Sequence, residues 1–90
     1  MMTRPSDDPS WHESCERMAA LTELLLTEKQ TGEWVGLPFE FSSYETACVA
    51  MDYVRLRFKK LHPDMRFDWQ KDPDYIAVRE CRVMARAYPR

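Results

Sequence analysis

The chain is poor in glycine, and this shortage argues against several architectures and sites. Only two glycines, Gly32 and Gly36, occur among its 90 residues. An all-β fold with many tight turns uses glycine wherever the backbone φ is positive, so such a fold is disfavoured. A glycine-rich loop that binds phosphate groups is disfavoured for the same reason.

Close pairs of metal ligands and paired catalytic groups are also scarce. The three cysteines, Cys15, Cys48 and Cys81, are widely separated, and only two histidines are present. A structural zinc site normally shows close pairs such as C-x-x-C, and His12 with Cys15 is the one comparable spacing here. A catalytic nucleophile needs a neighbouring base and an orienting group. We therefore expect core cysteines, no metal, no cofactor and no enzyme activity.

Long apolar runs are missing as well. The longest aliphatic run is Leu24 to Leu26, so no segment is predicted to span a membrane. The first ten residues, MMTRPSDDPS, contain no apolar core of the kind found in secretory signals. Together with the odd number of cysteines, this predicts a cytoplasmic protein with reduced thiols and no membrane contact.

The length of the chain fits one domain, and its charge is divided between the two halves. Residues 1–9 contain prolines and aspartates without apolar periodicity, which predicts a flexible arm before a single domain at 10–90. Residues 1–45 carry a net charge of −6, and residues 46–90 carry +4. This division suits a charged interaction surface, although most charged faces are simply solvated.

The first predicted helix covers residues 11–30. Ser10 and Glu13 match the S-x-x-E capping box, and Gly32 suits a stop beyond the last turn. The side chains on its apolar stripe follow helical spacing: Trp11, Cys15, Met18, Leu21, Thr22 and Leu25. Its glutamates fall on the opposite side.

The second predicted helix covers residues 43–61 and starts at a second capping box, Ser42 with Glu45. Its main apolar stripe consists of Tyr44, Ala47, Met51, Val54, Phe58 and Leu61. A second apolar line lies on another face and consists of Val49, Tyr53 and Leu56. A helix with two apolar faces is usually packed on both sides. The alternative is that the second line forms a docking or homodimer surface.

The third predicted helix covers residues 73–88, because Asp72-Pro73 resembles an N-cap followed by proline in the first turn. Its predicted core stripe is Ala77, Cys81, Met84 and Tyr88. Alternating side chains predict short strands at 37–41 and 65–70, which would run parallel through a right-handed crossover. Pro38 favours an edge position for the first strand. The expected fold is therefore α+β and predominantly helical, with three helices and one or two short strands.

Two groups of residues are candidates for partner binding. The first is the outer face of the third predicted helix: Tyr75, Arg79, Arg82 and Arg86. The second surrounds the end of the second helix: Arg55, Lys59, Lys60, His62 and Asp64. Arginine favours planar, bidentate and stacked contacts, as interfaces require. Three or four phosphate contacts would give only weak, salt-sensitive binding to nucleic acid, and the chain is acidic overall.

The segment YVRLRFKKLHPD, residues 53–64, resembles the J-domain family of co-chaperones. In that family a basic helix ends in a His-Pro-Asp loop, and a further helix packs back antiparallel. The resemblance implies that the tripeptide, His62 to Asp64, and the basic positions Arg55 and Lys60 would dock on an ATP-driven heat-shock chaperone and stimulate its ATPase. The segment CRVMARAY, residues 81–88, is similar to the last core helix of the family.

The sequence thus favours a small non-catalytic protein-binding module that acts as an inhibitor or adaptor of a larger protein partner. Phage-encoded proteins that counter host defences are one class of such small inhibitors, and this expectation comes from size alone. A J-domain-like co-chaperone is the first alternative. A weak nucleic-acid-binding protein is the second.

Overall fold

The computed structural model describes residues 9–28, 32–75 and 80–90. Two helices and three strands follow one another in the order α1 (Pro9–Thr27), β1 (Val35–Phe41), α2 (Tyr44–Leu61), β2 (Met65–Lys71) and β3 (Cys81–Pro89). The predicted arm at 1–9 lies outside the described residues except for Pro9, and so does the candidate residue Arg79. Neither of the described helices is long and apolar enough to cross a membrane.

The three strands form one antiparallel sheet in the order β1-β3-β2. β3 is the central strand, and it runs antiparallel to both neighbours. β1 and β2 therefore run in the same direction, as predicted, but β3 lies between them and they do not pair with each other. β1 is an edge strand, in agreement with Pro38, and its pairing with β3 is irregular between Gly36 and Glu40.

The predicted third helix at 73–88 is wrong, because residues 81–89 form the strand β3. Within the described residues the chain has two helices and one three-stranded sheet, in place of the predicted three helices with one or two strands. The buried side chains of β3 alternate: Cys81, Val83, Ala85 and Ala87. Alanine, arginine and methionine favour helices by intrinsic propensity, which makes this segment look helical in isolation. Pairing on both edges and burial of one face outweigh that propensity here.

Helix α1 is shifted from its predicted position at both ends. It begins at Pro9, so Ser10 lies in its first turn and does not precede it, and it ends at Thr27. Its fully or nearly buried side chains are Cys15, Ala19, Thr22 and Leu26. Leu21, which was expected on the buried stripe, is 37% exposed.

Helix α2 starts one residue later than predicted. Ser43, and not Ser42, is its N-cap, because the Ser43 hydroxyl accepts a hydrogen bond from the Thr46 N–H at 3.1 Å. The helix ends at Leu61, and the His62 N–H donates to the Phe58 carbonyl at 2.8 Å. The buried side chains of α2 are Ala47, Ala50, Met51, Val54 and Phe58.

The second apolar line of α2 is not a packed face. Val49 and Leu56 are exposed, Leu56 by 64%, so the expectation that α2 is covered on both sides is wrong for these two residues. Tyr53 is half-buried because it contacts α1. The ends of the predicted main stripe, Tyr44 and Leu61, are also exposed.

Both helices pack on one face of the sheet, and they also contact each other. The core lies between these two layers, as is usual for a small α+β domain. On β3 the core-facing side chains after Cys81 are one valine and two alanines, and small residues there let the helices approach the central strand closely. No described element covers the opposite face of the sheet. This uncovered surface is the candidate functional site.

Candidate functional site

The uncovered surface, called the open face from here on, consists of the strand residues that point away from the helices. β3 contributes Arg82, Met84, Arg86 and Tyr88; β1 contributes Gly36 and Glu40; and β2 contributes Arg66, Asp68 and Gln70. Trp34 and Tyr75, which lie just outside the strands, contact this surface through arginine side chains. Strand alternation explains the set, because residues two apart point to the same side.

The first cluster on the open face surrounds Arg82. Its Nη2 atom lies 3.0 Å from Glu40 Oε1, and its guanidinium carbon lies 4.9 Å from the centre of the Tyr75 ring. The Tyr75 hydroxyl donates to the same Glu40 oxygen at 2.8 Å. Hydrogen bonds from Tyr75 and then Arg82 lower the pKa of Glu40, while the bond to Glu40 raises the pKa of Tyr75. The three side chains thus fix one another's positions.

The second cluster surrounds Arg86. Its Nε atom lies 3.2 Å from Asp68 Oδ2, and its guanidinium carbon lies 4.5 Å from the Trp34 ring centre and 5.4 Å from that of Tyr88. The Tyr88 hydroxyl donates to Asp68 Oδ2 at 3.2 Å. Asp68 is directly opposite Arg86 in the register of β2 and β3. One arginine therefore contacts two aromatic rings and a carboxylate.

Met84 lies between the two clusters on the central strand. It pairs with Gly36 on one side and Gln70 on the other, and the Gln70 amide lies 3.4 Å from its sulfur atom. A methyl group added at Gly36 would meet no atom within 4 Å. The middle of the open face thus consists of the Met84 thioether beside the side-chain-free Gly36. Aromatic and guanidinium groups lie on either side of it.

The formal charges on the open face nearly cancel. Arg82 and Arg86 are each paired with a carboxylate on the neighbouring strand, and Arg66 is the remaining base. Both ion pairs are partly exposed, so they contribute little to folding stability. Their effect is to hold the arginine and aromatic side chains in fixed positions.

The structure brings together part of the first predicted group, though for a different reason than expected. Arg82 and Arg86 are four residues apart on β3, so their side chains point to the same face of the strand. Tyr75 lies beside them because its ring contacts the Arg82 guanidinium. Arg79 lies outside the described residues. Sequence reasoning missed Met84 and Tyr88, although the alternation of β3 includes them.

The structure divides the second predicted group between two sides of α2. Arg55 and Lys59 line a cleft beside β2, whereas Lys60 lines a groove between α1 and α2. His62 is turned toward α1, where its Nε2 atom lies 3.0 Å from Glu23 Oε1. Asp64 is exposed.

The segment that resembles J-domains ends at a strand. The residues after the tripeptide enter β2 directly, and the segment at 81–88 lies in β3. The resemblance of residues 53–64 to J-domain co-chaperones stays a prediction, which a functional assay can decide.

The contact between α1 and α2 contains a second polar network. Glu16 on α1 accepts hydrogen bonds from the Tyr53 hydroxyl and the Arg57 guanidinium on α2. These bonds, with that from Tyr53 the stronger influence, lower the pKa of Glu16. This network explains why Tyr53 is less exposed than its neighbours on the same line, and it lies on another side of the molecule from the open face.

Two of the three predicted core cysteines lie in the core. Cys15 and Cys81 are buried, and burial raises the pKa of both thiols, so neither is activated as a thiolate. Cys48 is half-buried. Within the described ranges, no group of three His, Cys, Asp or Glu side chains could hold a metal ion.

The fold and the open face define a class: a small two-layer α+β protein with one sheet surface, lined by arginine and aromatic side chains, that no described element covers. Comparison of the chain with protein-family models, curated proteins and solved structures finds no match.

Proposed function

We propose that this protein is a non-catalytic protein-binding module, an inhibitor or adaptor, that contacts its partner through the open face. The observation that carries this proposal is a sheet whose outer surface no described element covers. Its central row presents Arg82, Met84, Arg86 and Tyr88 in succession. Surfaces without cover and with this composition are typical of recognition sites.

The residue types on the open face match those that dominate binding energy in interfaces. Tryptophan, tyrosine and arginine are enriched among residues whose truncation weakens a complex strongly, and methionine is enriched in interfaces generally. Trp34 and Tyr88 both contact the same guanidinium, that of Arg86, and this stacking restricts their rotamers before any partner arrives. A surface ordered in advance loses less side-chain entropy when it binds.

The paired charges favour a protein partner over nucleic acid. A phosphate backbone would compete with Glu40 for Arg82 and with Asp68 for Arg86, and both carboxylates would repel it. A protein surface of mixed charge and apolar character can instead contact the guanidinium planes and rings without breaking these pairs. We therefore expect a partner whose surface has mixed charge around an apolar centre.

The size of the open face indicates that the contact extends beyond it. Three strands of about seven residues cover an area of roughly 15 by 23 Å, or about 350 Å². A typical stable interface buries about 800 Å² on each partner. The remaining contact would come from surfaces that adjoin the sheet.

A charge exchange tests the proposal with little effect on folding. In the variant Glu40→Arg with Arg82→Glu, the ion pair and the net charge are retained, but the pattern of charge on the open face is reversed. The immobilised parent protein is expected to capture a protein partner from a lysate of its native host. The exchanged variant should bind the purified partner at least about tenfold more weakly, which corresponds to 1.4 kcal/mol.

A matched control uses the same exchange elsewhere. The variant Glu16→Arg with Arg57→Glu reverses the exposed pair between α1 and α2 and leaves the open face unchanged. It should bind the partner as the parent does. Equal binding by the Glu40/Arg82 variant, or capture of nucleic acid alone, would contradict the proposal.

A further inference from the structure

The outer edge of β2 is free of pairing in the described chain. The Asp72 N–H donates to the Arg82 carbonyl at 2.8 Å, and the Arg90 N–H donates to the Asp64 carbonyl at 3.0 Å. These two bonds show that the even-numbered residues of this segment direct their main-chain groups toward β3. In an antiparallel ladder successive residues alternate in direction, so the odd-numbered residues point outward. Among these, the Met65 N–H bonds to the His62 carbonyl at 3.1 Å at the turn.

The outward main-chain groups of β2 belong to Phe67, Trp69 and Lys71. No backbone hydrogen bond from another described segment reaches them. An unpaired row of N–H and C=O groups can accept a further strand from another chain. This edge also adjoins the open face, because Arg66 and Asp68 belong to both β2 and that face.

A cationic cleft of about 250 Å³ lies beside the same edge. Its lining comes from α2, from the first part of β2 and from the end of the described chain: Arg55, Leu56, Lys59, Met65, Arg66, Phe67, Asp68 and Arg90. Within the described ranges, none of its four basic side chains forms an ion pair. Its one acid, Asp68, is already paired with Arg86. The cleft therefore has an excess of positive charge.

The bases lie on both sides of the sheet edge. Arg55 and Lys59 are one helical turn apart on α2, on the side of the sheet that faces the helices. Arg66 points to the open face. A strand added to β2 would direct alternate side chains to these two sides, so acidic side chains on either side would meet a base.

We propose that β2 binds an extended acidic segment of a protein partner as a fourth strand of the sheet, with its carboxylates at Arg55, Lys59 and Arg66. The inference rests on the proposed protein-binding function, but it uses the outer edge of β2, which adjoins the open face at Arg66. The volume of the cleft is below the 300–1,000 Å³ that is usual for small-molecule pockets. It therefore suits individual carboxylate side chains, while the main-chain bonds along β2 hold the peptide.

Peptide binding to the full-length protein tests this proposal. The probe is a fluorescently labelled seven-residue peptide of valine and threonine with glutamate at positions 2, 4 and 5, so that its carboxylates point to both sides of the added strand. Two comparison probes separate its features: the same peptide with every backbone nitrogen methylated, which keeps the charge but cannot extend a sheet, and a seven-nucleotide oligothymidylate. Fluorescence anisotropy gives the affinities, and ¹H–¹⁵N NMR spectra show which amides respond.

We expect the acidic peptide to bind and to shift the amide signals of Phe67 and Trp69. Methylation should weaken binding at least about tenfold, because the main-chain bonds are lost. The variant Arg55→Glu with Lys59→Glu should weaken it about tenfold as well, and the loss should shrink at high salt. Lys60→Glu is the matched control, because Lys60 adjoins Lys59 in sequence but lines the groove on the α1 side of α2. This variant should bind the peptide as the parent does.

Other results would overturn the inference. These are equal affinity of the methylated peptide, tighter binding of the oligothymidylate, no response of the β2 amides, and self-association of the protein through β2 in sedimentation experiments. The open face is tested separately, because the Glu40→Arg, Arg82→Glu variant should still bind the acidic peptide. If the parent protein fails to bind the acidic peptide but the Glu40→Arg, Arg82→Glu variant loses partner binding, the fourth-strand proposal is rejected and the proposed function is retained.

Discussion

A pair of alanine substitutions on adjacent residues distinguishes β3 from the helix that the sequence suggests. Val83 is fully buried and points to the core, whereas Met84 lies on the open face. A helix over 73–88 would place Met84 on its buried stripe with Cys81 and Tyr88, and Val83 away from that stripe. The two structures therefore predict opposite rankings for Val83→Ala and Met84→Ala.

The expected magnitudes follow from burial. Val83→Ala removes two methyl groups from the core, at about 0.8 kcal/mol each. The cavity left behind adds roughly 1 kcal/mol, since the small neighbours of Val83 on β3 cannot fill it. The total loss of about 2–3 kcal/mol is a large part of the roughly 5–13 kcal/mol expected for a domain of this length. Met84→Ala removes a half-exposed side chain and should cost below about 1 kcal/mol.

Urea denaturation followed by circular dichroism measures both losses. With a slope of about 1 kcal/mol per molar urea, Val83→Ala should lower the midpoint by about 2–3 M and Met84→Ala by less than about 1 M. Equal slopes for the parent and both variants would show that only stability has changed. A larger loss for Met84→Ala than for Val83→Ala would refute the strand and the open face together.

Two further predictions concern α1 and α2. Glu16→Gln should weaken the bonds from Tyr53 and Arg57. The folded-state pKa of Glu16 is lowered, so the carboxylate stabilises the fold at pH values above its unfolded pKa of about 4.3. This stabilisation is lost as the pH falls through the folded-state pKa. Unfolding midpoints of parent and variant should thus differ at pH 7 and converge in acid, and a constant difference down to pH 2 would contradict the assignment. For the J-domain alternative, the parent should stimulate a heat-shock chaperone ATPase and His62→Gln should not; no stimulation by the parent would end that alternative.

Segments with a single dominant periodicity were predictable from the sequence. Helix α2 and the strand at Met65 were placed within a residue or two, because Ala47, Met51 and Val54 fit helical spacing and Met65 to Trp69 alternate strictly. The edge position of β1 could be predicted from one residue, Pro38. Proline has no N–H to donate to a neighbouring strand, so within sheets it is found mainly in edge strands. In these segments local pattern and tertiary packing favour the same structure.

The candidate site was only partly predictable. Arg82 and Arg86 share one face whether residues 81–89 form a helix or a strand, so the helical assignment still grouped them correctly. Trp34 could not be assigned to them from the sequence, because its contact with Arg86 depends on pairing between β1 and β3. The cleft beside β2 was equally hidden, since Arg55 and Arg66 approach each other only after α2 packs on the sheet.

The sequence by itself determined that the fold is α+β, that residues 11–27 and 44–61 are helical, that Cys15 and Cys81 are buried, and that charge is divided between the two halves. Only the tertiary structure decided whether CRVMARAY is a helix or a strand, because Cys81, Val83, Ala85 and Ala87 satisfy a period of two while Cys81, Met84 and Tyr88 satisfy a helical one. A segment between two edge strands gains hydrogen bonds on both sides and buries one face, and an isolated helix cannot match that gain. That choice places two arginines, a methionine and a tyrosine in one row and so creates the open face.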